Sequence, residues 1–303
     1  MEVELVSELT GLDGSVYSLE KAGNSNRFYS GSNDQIVVEW DLEQMQPVKA
    51  VASLPSRSYA LKYIPEYNLL IVGNYSGGMH VIDLEAGKEI RLFQLHKKTI
   101  FNIEYDEKRK RIISLSADGS YAFWSLPDFQ LLHHEVLTHL KVRCVAFRAD
   151  KDEMAIGCGD GTIRIIHTET FEQLAQLEGH ETDYSVNSLA FTPDGKQLIS
   201  GSRDARTNFW NLADGYELTN RIPAHNYAIY SIVFHPSKPI YATGSMDKTI
   251  RIWELGKMRP VQTIDLTLGG HTNSVNKLLW SDFNDYLIST GDDRSIKVWK
   301  IEL

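Results

Sequence analysis

The sequence predicts an all-β fold, a seven-bladed β-propeller of four-stranded antiparallel blades, from three observations. A short pattern recurs seven times along the 303 residues at nearly constant spacing. Between recurrences the chain reads as four short strands divided by turns. The strand missing at the end of the last unit is present ahead of the first.

The recurring pattern is clearest in "GSMDKTIRIW" (244–253). Its relatives, in chain order, are "GSNDQIVVEW" (31–40), "GNYSGGMHVI" (73–82), "SADGSYAFW" (116–124), "GCGDGTIRII" (157–166), "GSRDARTNFW" (201–210) and "GDDRSIKVW" (291–299). The closing positions are Trp40, Ile82, Trp124, Ile166, Trp210, Trp253 and Trp299, spaced by 42, 42, 42, 44, 43 and 46 residues. A period of roughly 40–45 residues over a whole chain is the signature of a repeat architecture with one supersecondary unit per repeat.

Residues 226–264 show the content of a unit. "IYSIVF" alternates apolar and polar residues, "HPSKP" turns, and "IYATGS" is a second strand. "MDKT" turns again, "IRIW" is a third strand, "ELGKMRP" a loop and "VQTIDL" a fourth strand. Each run is short, rich in β-branched and aromatic residues, and bounded by Gly, Pro, Asp or Asn. No stretch has helical periodicity of useful length. The seventh unit stops at "VWKIEL" without a fourth strand, while "EVELVSEL" precedes the first unit as a spare. The N-terminal strand therefore completes blade seven and removes the open edge. Residues 1–303 form one domain on this reading.

Composition agrees with a globular protein: 42% hydrophobic, 23% charged, net charge −9. That field disfavours non-specific binding to nucleic acid or anionic membrane. Cys144 and Cys158 are too few for a disulfide framework and fall in strand-like runs, which suits a reducing, cytoplasmic compartment. The start "MEVELVSEL" does not match a signal peptide, and no run approaches a membrane span.

Four residue types recur in register. His precedes Asp by 22 residues in His96/Asp118, 21 in His139/Asp160, 24 in His180/Asp204, and 22 in His225/Asp247 and His271/Asp293. Ser30, Ser114, Ser200, Thr243 and Ser289 lie four before the Asp, and Trp40, Trp124, Trp210, Trp253 and Trp299 six after it. The third, fifth, sixth and seventh units are complete. In isolation such a set looks like a hydrolytic triad, but four copies around a ring cannot share one substrate, so a structural role is expected. The first unit has Leu12-Asp13 in place of His. The fourth keeps His139 and Asp160 but has Ile156 and Ile166, and the second has Val72, Ser76 and Ile82, a consistent apolar replacement.

With "EGH" (178–180), "GGH" (269–271) and "WD" (40–41), these repeats resemble the WD-repeat family across essentially the whole chain. The resemblance implies that the Asp accepts turn N–H groups and a bond from His, that His donates its other nitrogen to the hydroxyl, and that the hydroxyl meets the indole N–H. It also implies a non-catalytic scaffold whose partner is a protein or peptide segment received at the top of the ring.

The histidine loops and aspartate turns should emerge on one face, here called the top. The residue after the first apolar position of each innermost strand should ring the channel there: Tyr17, Tyr59, Phe101, Arg143, Asn187, Tyr230 and Asn276. The residue before each turn Asp is Asn33, Tyr75, Ala117, Gly159, Arg203, Met246 and Asp292. Aromatics, Met and Arg are the types enriched in binding hot spots. Arg57, Lys141, Arg143 and Arg203 would favour an acidic or phosphorylated partner. Two top loops are long: "ETDYS" (181–185) and "LTLGGH" (266–271). The opposite face reads as turns, "TPDG", "HPSKP", "LADG" and "DEKRKR", whose basic run is expected to be a solvated hairpin tip.

Two rival functions are set beside the scaffold. Asn33, Asn187, Asn276 and Asp292 offer oxygen ligands of the kind Ca²⁺ accepts, for a metal-assisted enzyme in the channel mouth, although clustered carboxylates are lacking. A nucleic-acid adaptor would use the Arg and Tyr residues. The reading adopted is no enzyme, no cofactor and no resident metal.

Overall fold

The computed structural model describes residues 1–148, 150–213 and 215–302. Asp214 of the "LADG" turn and the closing Leu303 lie outside the described residues. Seven four-stranded antiparallel sheets follow one another around a ring. The innermost strands are Val16–Lys21, Ser58–Ile64, Ile100–Asp106, Val142–Arg148, Val186–Phe191, Ile229–Phe234 and Val275–Trp280. In blades one to six each sheet runs outward in chain order. Blade seven is completed by Glu2–Leu9, which pairs antiparallel with Ile296–Glu302, placing Leu5 opposite Trp299 and Leu9 opposite Ile296. The expected closure is what the chain forms.

The core lies between blades, not within one layer. Seven apolar clusters sit at the seven blade-to-blade interfaces. Trp253 packs with Ile199 and Phe209 of the preceding blade, and Trp299 with Ile250 and Ile252. Ile82 and Ile166 occupy the same apolar position in blades two and four. Packing this close leaves no room for side chains at some strand positions. A Cβ on Gly244 would meet Val275 Cγ1 at 2.8 Å.

Two details differ from the sequence reading. The outer strand of blade six is only Gln262–Ile264, because Asp265 caps a short 3₁₀ turn, Leu266–Leu268, by accepting from the Thr267 N–H. That turn uses up the long "LTLGGH" loop beside the closing strand, since a Cβ on Gly269 would meet Leu5 Cδ2 at 3.0 Å. The "DEKRKR" tip is solvent-exposed at Glu107, Lys108 and Lys110, as expected, and it also clasps neighbouring blades. Lys108 bonds Asp152 at 2.9 Å, Arg109 pairs with Asp106, Asp152 and Glu169, and Lys110 pairs with Glu66. Arg111 is buried against Asp106 and the Thr168 carbonyl. The carboxylates come from blades two, three and four, so the basic run is neutralised.

Candidate functional site

The recurring polar set forms the same chain of hydrogen bonds in blades five, six and seven. In blade six the Trp253 indole N–H donates to Thr243 Oγ1 at 2.9 Å, and Thr243 bonds His225 Nε2 at 2.7 Å. His225 Nδ1 bonds Asp247 at 3.0 Å, and Asp247 also accepts the backbone N–H groups of Asn226 and Thr249. Blade five repeats this with Trp210, Ser200, His180 and Asp204, and blade seven with Trp299, Ser289, His271 and Asp293. A carboxylate can only accept, so His225 donates to Asp247 from Nδ1; in the neutral ring Nε2 then accepts, and the Thr243 hydroxyl, which accepts the indole N–H, passes its own proton to it. The hydroxyl-to-histidine direction is therefore the reverse of the expected one. Blade three inserts a residue: His96 bonds Ser114 and Ser120, and Ser120 in turn donates to Asp118 at 2.6 Å.

Ser114, Ser200, Thr243 and Ser289 are fully buried, as are the side chains of His180 and Asp204. No substrate can reach a hydroxyl that is sealed between blades and already bonded on both sides. Burial alone would raise the Asp247 carboxyl, but His225 and the turn donors outweigh it and hold it below the usual range. Asp204 and Asp293 are held low in the same way. Burial pushes His225 below its ordinary value, and so keeps the ring neutral, despite Asp247.

The incomplete blades found other solutions. In blade one Trp40 still donates to Ser30 at 2.8 Å, and Asp34 takes the Asp13 backbone N–H. In blade four His139 is exposed, and Arg164 from the third strand reaches Asp160 at 3.1 Å in its stead. Blade two is not simply apolar. Buried His80 bridges Asn74 and Glu89, both at 2.8 Å, while Val72 and Ile82 fill the old positions.

At the channel mouth one local device is repeated seven times. Every innermost strand slips register by one residue against its neighbour, and the extra residues are Tyr17, Tyr59, Phe101, Arg143, Asn187, Tyr230 and Asn276. A bulge leaves its extra residue out of the ladder and re-aims the side chain. All seven line a channel of about 620 Å³. Tyr17 and Tyr59 stack at 4.5 Å, and Phe101 meets Tyr59 edge-on at 5.8 Å. The Arg143 guanidinium lies 4.2 Å over Phe101 and 5.9 Å from the Tyr230 ring centre. Arg57 covers Tyr75 at 4.7 Å. One connected surface of rings and cations therefore runs from blade one to blade six.

The two asparagines do something different. Asn187 is buried, donates to the Ile229 carbonyl at 3.0 Å and accepts from Ser185. Asn276 donates to the Val16 carbonyl at 3.0 Å and to Asp292 at 2.9 Å. Each clasps the innermost strand of the next blade. Among the described residues no three of His, Cys, Asp and Glu are grouped to hold a metal ion.

Above the bulge ring, Tyr75 (52% exposed), Met246 (47%) and Arg203 project from the turns. Tyr227 (60% exposed) stands beside Met246, whose N–H bonds the Ala228 carbonyl, and Tyr184 lies under Arg203 at 5.7 Å. Tyr227 is missing from the sequence reading, and Tyr184 enters it only as part of the long "ETDYS" loop. Their signal was loop length and apolar character in an otherwise polar segment. Deeper in the channel Lys62 lies 2.8 Å from Glu104 and 3.5 Å from Glu20, a charged group also not foreseen. Burial lowers Lys62, but the two carboxylates outweigh it and keep it charged. No helix among the described residues is long and apolar enough to cross a membrane.

The sequence profile of the family described as WD domain, G-beta repeat (WD40) matches residues 131–167, 171–211, 216–254 and 261–300, together just over half of the chain. Each matched segment takes in the outer strand of one blade and three strands of the next. The chain is 26% identical over 263 residues to the nuclear distribution protein nudF of Aspergillus niger, covering 78% of this chain and 57% of that protein. It is 29% identical over 158 residues to the U3 small nucleolar RNA-associated protein 15 homolog of Xenopus tropicalis, covering 52% and 29%. It is 32% identical over 148 residues to the guanine nucleotide-binding protein subunit beta-like protein 1 of Mus musculus, covering 48% and 44%. The chain spans between 29% and 57% of the length of these relatives. With seven blades, the repeated Trp–hydroxyl–His–Asp chain and that profile match, the protein belongs to the WD40 repeat family.

Proposed function

We propose that the protein is a non-catalytic interaction scaffold that holds a peptide or protein partner on its top face, around the channel mouth. The observation that carries this reading is the connected run Tyr17–Tyr59–Phe101–Arg143–Tyr230, built from bulge residues that contribute nothing to their own ladders. Tyr75, Tyr227 and Met246 add exposed apolar surface beside it. Rings and guanidinium groups held in place by one another lose little freedom on binding, which favours hot-spot behaviour. Arg57, Lys141, Arg143 and Arg203 on the same face favour an acidic or phosphorylated segment. Relatives named as a G-protein subunit beta-like protein and as a small nucleolar RNA-associated protein support a place in assemblies. Two buried free thiols, Cys144 and Cys158, fit a reducing compartment such as the cytoplasm.

The test is affinity capture with wild type against Tyr59→Ala/Phe101→Ala/Tyr230→Ala. The triple variant should keep the wild-type circular dichroism spectrum and lose a specific partner. An unchanged partner set from a folded variant would remove the channel mouth as the site.

A further inference from the structure

Resting on the top-face reading, we propose that a notch between blades four and five seats one anionic side chain of the docked peptide, a phosphomonoester or a carboxylate, among Lys141, Arg143 and Arg203. Three features of the chain support it. The first is an unanswered charge. Four other buried or half-buried arginines, Arg109, Arg111, Arg148 and Arg164, each have a carboxylate at hand, whereas half-buried Arg251 is answered by the Ala224 carbonyl. Among the described residues no carboxylate lies within 4.0 Å of Lys141, Arg143 or Arg203. Burial lowers the Lys141 ammonium, and the charges of Arg143 and Arg203 push it down further, so the three repel one another. An anion placed among them would relieve that repulsion.

The second feature is access. The turn positions on either side carry long side chains, Tyr75 on blade two and Arg203 on blade five, whereas Ala117 and Gly159 stand between them. Gly159 lies directly against Lys141, since a Cβ there would fall 3.0 Å from the Lys141 carbonyl oxygen. The rim is therefore low beside the cations. The third feature is preorganisation. Phe101 and Tyr230 hold the Arg143 guanidinium from two sides, and Tyr184 lies under that of Arg203. A planar donor fork held in position suits oxyanions. A peptide is favoured over a polyanion because the net charge of −9 opposes an extended nucleic-acid backbone. The neighbouring ring faces of Tyr17 and Tyr59 give the rest of a peptide something to lie on.

The test uses the full chain with inorganic phosphate, phosphoserine, glutamate and a single-stranded DNA oligonucleotide at fixed ionic strength, read by thermal shift and by ¹H–¹⁵N chemical-shift titration. Phosphate and phosphoserine should raise the melting temperature saturably and move the amides of residues 140–144 and 203. Phosphoserine outranking glutamate identifies a phosphomonoester as the source; the reverse order identifies acidic side chains. Lys141→Gln and Arg203→Gln should each leave the ligand-free melting temperature unchanged or higher, and weaken phosphate about tenfold or more. A lowered ligand-free melting temperature, or equal phosphate affinity in both variants, would overturn the notch, as would preference for the oligonucleotide. A partner that is lost from the tyrosine–phenylalanine triple variant but kept by Lys141→Gln/Arg203→Gln also overturns the notch while leaving the top face standing. Retention by the triple variant removes the top-face reading itself.

Discussion

Thr243 shows why a hydroxyl beside a histidine and an aspartate is no nucleophile in this protein. Its oxygen already accepts the Trp253 indole, its proton goes to His225, and the group is fully buried between blades. Removing the terminal carboxylate leaves His225 and the Asn226 and Thr249 N–H groups without their acceptor. Asp247→Ala should therefore lower unfolding free energy by about 1–3 kcal/mol in urea titration at pH 7. The wild-type pH profile follows from the same groups. His225 and His235 titrate below their ordinary value in the fold, chiefly through burial, so the unfolded chain takes up protons first. Stability should then fall as pH drops below about 6.5. Asp204, Asp247 and Asp293 are held low, so their contribution is complete above about pH 4 and is lost as pH falls below it. Urea midpoints that stay level from pH 7 to pH 5.5 would contradict the neutral buried histidines. The full sets were legible because four residue types kept fixed spacing. The substitutes were not, because Arg164 and His80 approach from the third strand, where no spacing rule in a single unit points to them.

At the scale of the strand, ring closure was legible because an amphipathic run at one end matched an absence at the other. Leu9 makes that closure testable. It is 3% exposed, pairs with Ile296 and packs in the interface between blades seven and one. Leu9→Ala should cost about 2–5 kcal/mol, as for a buried leucine anywhere in a core. Val136, on the outer strand of blade three, is 59% exposed, and its replacement by Ala should change the midpoint by less than about 0.5 kcal/mol. Equal effects at the two sites in urea unfolding would mean that the N-terminal strand is not part of the cooperative fold. The bulges were not legible as bulges. Their residues were found through position alone, because a ring of strands must turn something toward its axis. The shortened outer strand of blade six escaped because "VQTIDL" has full strand character, and only the capping geometry of Asp265 shows where pairing stops.

For the molecule as a whole, a net charge of −9 and a cationic mouth act on an acidic partner at different ranges. On the proposed top-face reading the long-range field would repel such a peptide, while Arg57, Lys141, Arg143 and Arg203 would attract it only on contact. Salt separates the two. The screening length falls from about 30 Å at 0.01 M to about 8 Å at 0.15 M ionic strength, which removes the distant repulsion first. Partly buried contacts are screened much less. Association of a short acidic peptide should therefore accelerate over that range, by about twofold to threefold, instead of slowing as it does for oppositely charged partners. Dissociation should quicken only modestly. Stopped-flow fluorescence with a labelled peptide measures both rates. An association rate that falls steeply with salt would mean that the top-face cations dominate the field far beyond the mouth, and that a polyanion rather than one anchored side chain is the better fit.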